Sequence, residues 1–117
     1  MNIIINSEEL VTHLTSVVGV VDRKQTMPIL GHVLISGQSG EITLTATDLE
    51  VQISSRFKAN ISEDFTITLP GRKLFDIGKG LPDEAILEIE KVEEGKLKIK
   101  SKKSKFILSA LDAKTFP

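Results

Sequence analysis

His13 and His32 are the only imidazoles in this chain, and Asp48 and Glu50 form the one carboxylate pair whose spacing suggests acid–base chemistry. Neither set is completed into a site. The histidines have no HExxH or paired spacing, so no zinc site of that kind is built. Asp48 and Glu50 fall at a strand–turn–strand junction with no nucleophile or phosphate loop beside them. The chain has no GxxxxGK[ST] and no GxGxxG, and it lacks cysteine, which removes disulfides and thiolate metal ligands. The expectation is a protein without catalysis, metal or cofactor. A hydrolase using Asp48 and Glu50 stands as the remote alternative.

The basic residues offer a second chemistry, contact with phosphate. Arg72 and Lys79 are seven apart, so on a helix they project from one face. Asp76 lies between them on that face, and the residues alone leave two readings open, a phosphate-facing surface or a solvated one. Arg23 and Lys24 sit together in a polar loop, again either a phosphate contact or an ordinary turn. The densest cluster holds seven lysines between positions 91 and 105. Lys96, Lys98 and Lys100 alternate with Leu97 and Ile99, which places them on one face of a strand. Glu88 and Glu90 on the preceding strand are within reach of cross-strand pairing. This cluster therefore reads as a solvated face.

Composition limits what these side chains can do. The net charge is −1, without the basic excess of a domain that grips nucleic acid by charge alone. There is no Trp or Tyr and only five Phe, so stacking platforms for single-stranded bases are scarce. Hydrophobic residues make up 40% of the chain, enough for one aliphatic core, and 117 residues suit a single domain. The apolar run of residues 3–5 is far too short for a signal peptide or a membrane span. Together with the absence of cysteine, this gives an expected cytoplasmic location.

Hydrophobic spacing gives the elements that must carry these residues. Ile3 and Ile5 belong to a short strand. Asn6 or Ser7 caps a helix with Glu8 and Glu9 in its first turn. Leu10, Val11, Leu14, Val17, Val18 and Val21 form its buried face, and Thr12, Thr15, Ser16 and Gly19 the opposite one. Strands are expected from about Leu30 to Ser36, from Ile42 to Thr47, and from Val51 to about Ala59. The pattern then restarts. Phe65 to Leu69 reads as a strand and Arg72 to Gly80 as a short helix. Strands follow at Ile86–Lys91, Lys96–Lys100 and Lys105–Ala110. The order strand, helix, three strands thus occurs twice, in halves of about 1–60 and 61–117. The expected class is α+β, an internally duplicated βαβββ unit with two helices packed on antiparallel sheets.

Six landmarks in order connect this pattern to a known family: Met27-Pro28-Ile29-Leu30-Gly31, Leu44-Thr45-Ala46-Thr47-Asp48-Leu49-Glu50, Arg72-Lys73-Leu74-Phe75-Asp76-Ile77, Gly80-Leu81-Pro82, Ser104-Lys105-Phe106 and Phe116-Pro117. Over its whole length the chain resembles the N-terminal domain of the bacterial DNA polymerase III beta subunit, the DNA sliding clamp. The resemblance implies a clamp domain. It also implies a three-domain polypeptide that closes head to tail as a homodimer, with helices lining a hole and strands outside. It makes Phe116-Pro117 the point where the first domain would pass into a second. It implies a non-catalytic processivity factor that encircles double-stranded DNA without reading sequence. The replicative polymerase and the clamp loader would engage domains outside this chain.

The resemblance also assigns residues. Arg23, Lys24, Arg72 and Lys79 become DNA-facing. Lys73, Ile77, Phe106, Ile107 and Leu108 become residues of the subunit joint, where the last strand extends a sheet into the partner. From the residues alone, Phe106 and Leu108 read most simply as core packing. The first helix departs from a DNA-lining expectation, because Thr12, Thr15 and Ser16 are neutral and His13 gains charge only at lower pH. A different class is kept beside the clamp: a small protein-interaction module that captures a partner on an exposed strand edge without binding DNA.

Overall fold

The computed structural model describes residues 2–21 and 27–117. The chain opens with β1 (Asn2–Asn6) and passes directly into α1 (Ser7–Val17). Asn6 is the cap: its side-chain oxygen accepts from the Glu9 amide at 3.0 Å, while Glu8 and Glu9 place negative charge at the positive helix end. Leu10, Leu14 and Val17 are the buried stripe. The helical spacing predicts continuation to Val21, but the α-helix ends at Val17 and Val18–Val20 tighten into a 3₁₀ turn. Four valines within five residues, interrupted only by Gly19, supply little intrinsic helix propensity to resist that change.

Pro28 opens a second 3₁₀ turn, Pro28–Gly31, so β2 (His32–Gln38) begins two residues later than the expected Leu30. Ser39 and Gly40, both at positive φ (53° and 79°), turn the chain into β3 (Glu41–Thr47). Next come β4 (Gln52–Lys58) and a two-residue strand, β5 (Asn60–Ile61), which the sequence pattern does not reveal. Then β6 (Phe65–Pro70) leads into α2 (Gly71–Lys79). The chain ends with β7 (Ile86–Glu93), β8 (Lys96–Ser101) and β9 (Ser104–Ser109), followed by a 3₁₀ turn at Ala113–Thr115.

Two antiparallel sheets result, ordered β5-β1-β7-β8-β9 and β4-β3-β2-β6. The first strand of each half lies in the sheet of the other half: β1 pairs with β7, and β6 pairs with β2. Neither half can therefore complete a sheet alone. Ile3, Ile5, Leu87, Ile89, Leu97 and Ile99 face inward from one sheet, and Val33, Ile35, Ile42, Leu44 and Leu69 from the other. Together with Leu10, Leu14 and Leu74 of the helices they form one contiguous core. The Cα radius of gyration is 13.0 Å, the value a compact chain of this length should have.

Candidate nucleic-acid interface

The two helices lie against each other. Ser7 Oγ donates to the Gly78 carbonyl at 3.0 Å, inside the contact. Gly71 at the start of α2 packs on strand and loop, since a β-carbon there would stand 2.8 Å from Val33 Cγ2 and 3.0 Å from Val21 Cγ2. This sets the first turn of α2 beside Val21. Arg23 and Lys24, the sequence-predicted phosphate contacts, lie outside the described residues.

The exposed positions of the helix pair are Glu8, Glu9, Thr12, Thr15 and Ser16 on α1, and Lys73, Asp76 and Lys79 on α2. Thr15 turns its hydroxyl back to the Val11 carbonyl at 2.8 Å. Lys79 stands in the last turn of α2, with its Nζ 5.3 Å from the Phe75 ring centroid. That contact and the negative helix end both favour the cation. Arg72 is half-buried, and its Nε is shielded from solvent without a hydrogen-bond partner among the described residues. Acids and bases on this surface nearly balance, with Glu8, Glu9 and Asp76 against Arg72, Lys73 and Lys79. Such a face can meet phosphates weakly at the Arg72 and Lys79 positions but cannot grip a duplex by field strength.

The lysine-rich segment is arranged differently. Glu88 pairs across the sheet with Lys100 and Glu90 with Lys98, on the face turned away from the core. Lys98 Nζ is 2.5 Å from Glu90 Oε1, and this hydrogen bond holds the Glu90 carboxyl below its ordinary range. Lys91 meets Glu94 at 3.1 Å, and Lys96 donates to Ser109 Oγ at 3.0 Å. Lys98 and Lys100 thus stand opposite Glu90 and Glu88 in the sheet, as the alternation predicts.

At the edge of the five-stranded sheet, β9 has β8 as its only strand neighbour among the described residues. Leu108 is buried, Phe106 half-buried, and both pack on the domain's own core, whereas Ile107 is 51% exposed on the opposite face. On α2, Lys73 is exposed and Ile77 half-buried against the core.

The whole chain, residues 1–117, matches the family described as DNA polymerase III beta subunit, N-terminal domain. The chain belongs to that family. The beta sliding clamp of Pseudomonas putida is 45% identical over 118 residues, which cover 100% of this chain and 32% of the relative. That of Escherichia coli is 36% identical over the same share of each. Among solved structures, a DNA polymerase III subunit beta from Pseudomonas aeruginosa superposes with a TM-score of 0.93 at 42% identity. A DNA polymerase sliding clamp from Caulobacter crescentus gives 0.95 at 33%. Each comparison covers 100% of this chain and 32% of the other. The chain thus spans about a third of the length of the relatives it matches.

Within this beta-subunit domain, the Thr45–Glu50 landmark is scaffold. Asp48 Oδ1 accepts from the amides of Glu50 and Val51 at 2.9 and 2.8 Å, while Thr47 Oγ1 donates to the Val51 carbonyl at 2.8 Å. The backbone amides hold the Asp48 carboxyl below its usual range, Val51 contributing most. A carboxylate committed to two amides is a turn-former, which removes the basis for pairing it with Glu50 as an acid and a base. The turn instead holds Leu49 at φ 80° with its side chain 58% exposed.

One residue escaped the sequence reading. Strand alternation puts Thr68 on the solvent side of β6, opposite Ile67 and Leu69, yet it is fully buried. Its hydroxyl binds both backbone groups of Leu111, 43 residues away. No local pattern announces such a contact.

Proposed function

We propose that this domain is one unit of a ring that encircles duplex DNA and serves the replicative polymerase as a non-catalytic processivity factor. The observation that carries the reading is the match to sliding clamps over the full chain. The near-neutral paired helices are consistent with it. A ring retains DNA by topology, so its inner face needs only weak, sequence-independent contacts, and weak contacts permit sliding. Units with extents of 36 × 27 × 26 Å, six to a ring, leave a hole of about 30 Å by simple hexagonal packing.

In this reading Arg72 and Lys79 meet phosphates, joined by Arg23 and Lys24. Lys73, Ile77, Phe106, Ile107 and Leu108 belong to the joint with a second subunit, where the free edge of β9 is available for strand addition. Residues 1–117 form a single clamp domain, the first of three in the polypeptide. Its halves, about 1–60 and 61–117, are a structural duplication, supported by the repeated element order and the exchanged first strands. Polymerase and clamp loader engage the parts of the polypeptide outside this domain. The location is cytoplasmic. No helix among the described residues is long and apolar enough to cross a membrane. The relatives do not favour an edge-strand module without DNA.

The test is retention on DNA of the full-length polypeptide that contains this domain. It should stay on closed circular duplex and run off when the circle is cut. Equal retention on circular and linear DNA would replace the ring with a direct-grip mechanism.

A further inference from the structure

Among the described residues, the side-chain hydrogen bonds that tie the segment after β9 to the other sheet all come from one residue, Thr68. Ala110 still belongs to the β8–β9 hairpin, its amide donating to the Gly95 carbonyl at 2.9 Å. The next residue, Leu111, is held by the other sheet. Its amide donates to Thr68 Oγ1 at 3.0 Å, and Thr68 Oγ1 donates to the Leu111 carbonyl at 3.1 Å. Beyond it, Asp112 caps the terminal 3₁₀ turn through the Lys114 amide at 3.0 Å, so the segment leaves as a structured strap.

The Thr68 hydroxyl has one hydrogen and two lone pairs. Its hydrogen goes to the Leu111 carbonyl, and one lone pair takes the Leu111 amide. His32 Nδ1, at 3.1 Å, must then act as the donor to the second lone pair, which assigns the proton to that nitrogen. Every capacity of a fully buried hydroxyl is used. The corresponding place in the first half is built otherwise: β5, which follows β4, pairs with β1 in backbone register, Ile3 with Ile61 and Ile4 with Asn60. The strap after β9 thus depends on a side-chain latch where its counterpart has a strand ladder.

We propose that Thr68 is a positioning residue for the subunit joint: it draws the chain off the end of β9 onto β6 and so keeps the β9 edge open for a partner strand. The inference rests on the ring reading. Released at Thr68 and turned back through a two-residue hairpin, the five residues 113–117 could cover about 16 Å of edge. The β9 edge is about 20 Å long. A tethered segment of that reach competes with an incoming strand at high effective concentration.

The experiment uses the full-length polypeptide carrying Thr68→Val or Thr68→Ser, with subunit association measured by sedimentation and amide exchange read at Leu111. Valine keeps the shape and removes the hydroxyl; serine restores it. Thr68→Val should speed Leu111 exchange at least tenfold and weaken association at least tenfold, with β2 and β3 amides still protected, and Thr68→Ser should stay within about twofold of the parent in both. Unchanged Leu111 exchange in the valine variant, unchanged association despite faster exchange, or a serine variant behaving like valine would each overturn the proposal. A parent polypeptide that does not associate at all would remove the ring reading itself, an outcome visible before any variant is examined.

Discussion

Gly78 of α2 faces Val11 of α1 so closely that a β-carbon on Gly78 would stand 2.7 Å from the Val11 Cγ2 methyl. Both candidate DNA-facing cations on α2 depend on this seating, because it fixes how the helix lies beside α1. Gly78→Ala should destabilise by about 1–3 kcal/mol, the usual cost of overpacking, even though alanine is the better helix former. Urea unfolding measures it. Adding Val11→Ala removes the obstructing methyls and should recover part of the loss, so the double-mutant cycle should show coupling.

The turn at Leu49 stores strain that glycine would not. A left-handed residue with a β-carbon costs about 1–2 kcal/mol, and Leu49 at φ 80° is 58% exposed, so it recovers little by burial. Leu49→Gly should leave stability unchanged or raise it by up to about 1 kcal/mol, after allowing for glycine's entropy. Leu49→Val should lower it, since branching at Cβ crowds that conformation further. Thermal unfolding of the three proteins would show the order, and a valine variant more stable than the glycine one would contradict it.

These two sites mark the limit of what the sequence made legible. Apolar spacing located both helices and every strand longer than two residues, because burial of one face imposes period 3.6 or 2 on the residues themselves. The Asn6 cap and the Glu88 and Glu90 pairing with Lys100 and Lys98 could be read for the same reason: partners are near in sequence or in adjacent strands. Gly78, β5 and Thr68 could not be. Each is explained by a residue far along the chain (Val11, Ile3 and Leu111), and one sequence records no such pairing. The candidate site divides in the same way. Helix periodicity puts Arg72 and Lys79 on α2, but the shielding of Arg72 Nε and the proximity of Gly71 to Val21 depend on tertiary packing.

Stability should fall in two steps as pH is lowered. Burial lowers the His32 pKa below the ordinary histidine value of 6.5. The unfolded chain then binds the proton more readily than the folded one. Stability from this group is complete above about 6.5 and declines as pH falls through that value toward the folded pKa. Asp48 and Glu90 are depressed carboxylates, by backbone amides and by Lys98 respectively. Their contributions persist down to the ordinary carboxylate range and are lost as pH falls through their lower folded values. His32→Asn, whose amide can still donate to Thr68, should remove the upper step and leave the acid one. Unfolding midpoints between pH 3 and 8 test this, and an unchanged upper step in the variant would assign it to another group.

The neutral face of α1 predicts a gain of function. Thr12 and Ser16 are exposed, one helical turn apart, on the solvent side of α1. Among the described residues neither makes a side-chain hydrogen bond or ion pair, and lysine is a good helix former. If this face lines the hole, each added cation can neutralise about one phosphate. Thr12→Lys together with Ser16→Lys in the full-length polypeptide should tighten binding to short linear duplex and steepen its dependence on log salt by about 0.9 per lysine. Arg72→Ala and Lys79→Ala should each flatten that slope by a similar amount. Lys96→Ala and Lys100→Ala, on the outer sheet face, should leave it unchanged. The two lysines on α1 should also slow sliding, since stronger phosphate contacts must break at each step. An unaltered salt slope in the α1 variant would place this helix away from the DNA, and a slope that responds to Lys96 or Lys100 would turn the domain around.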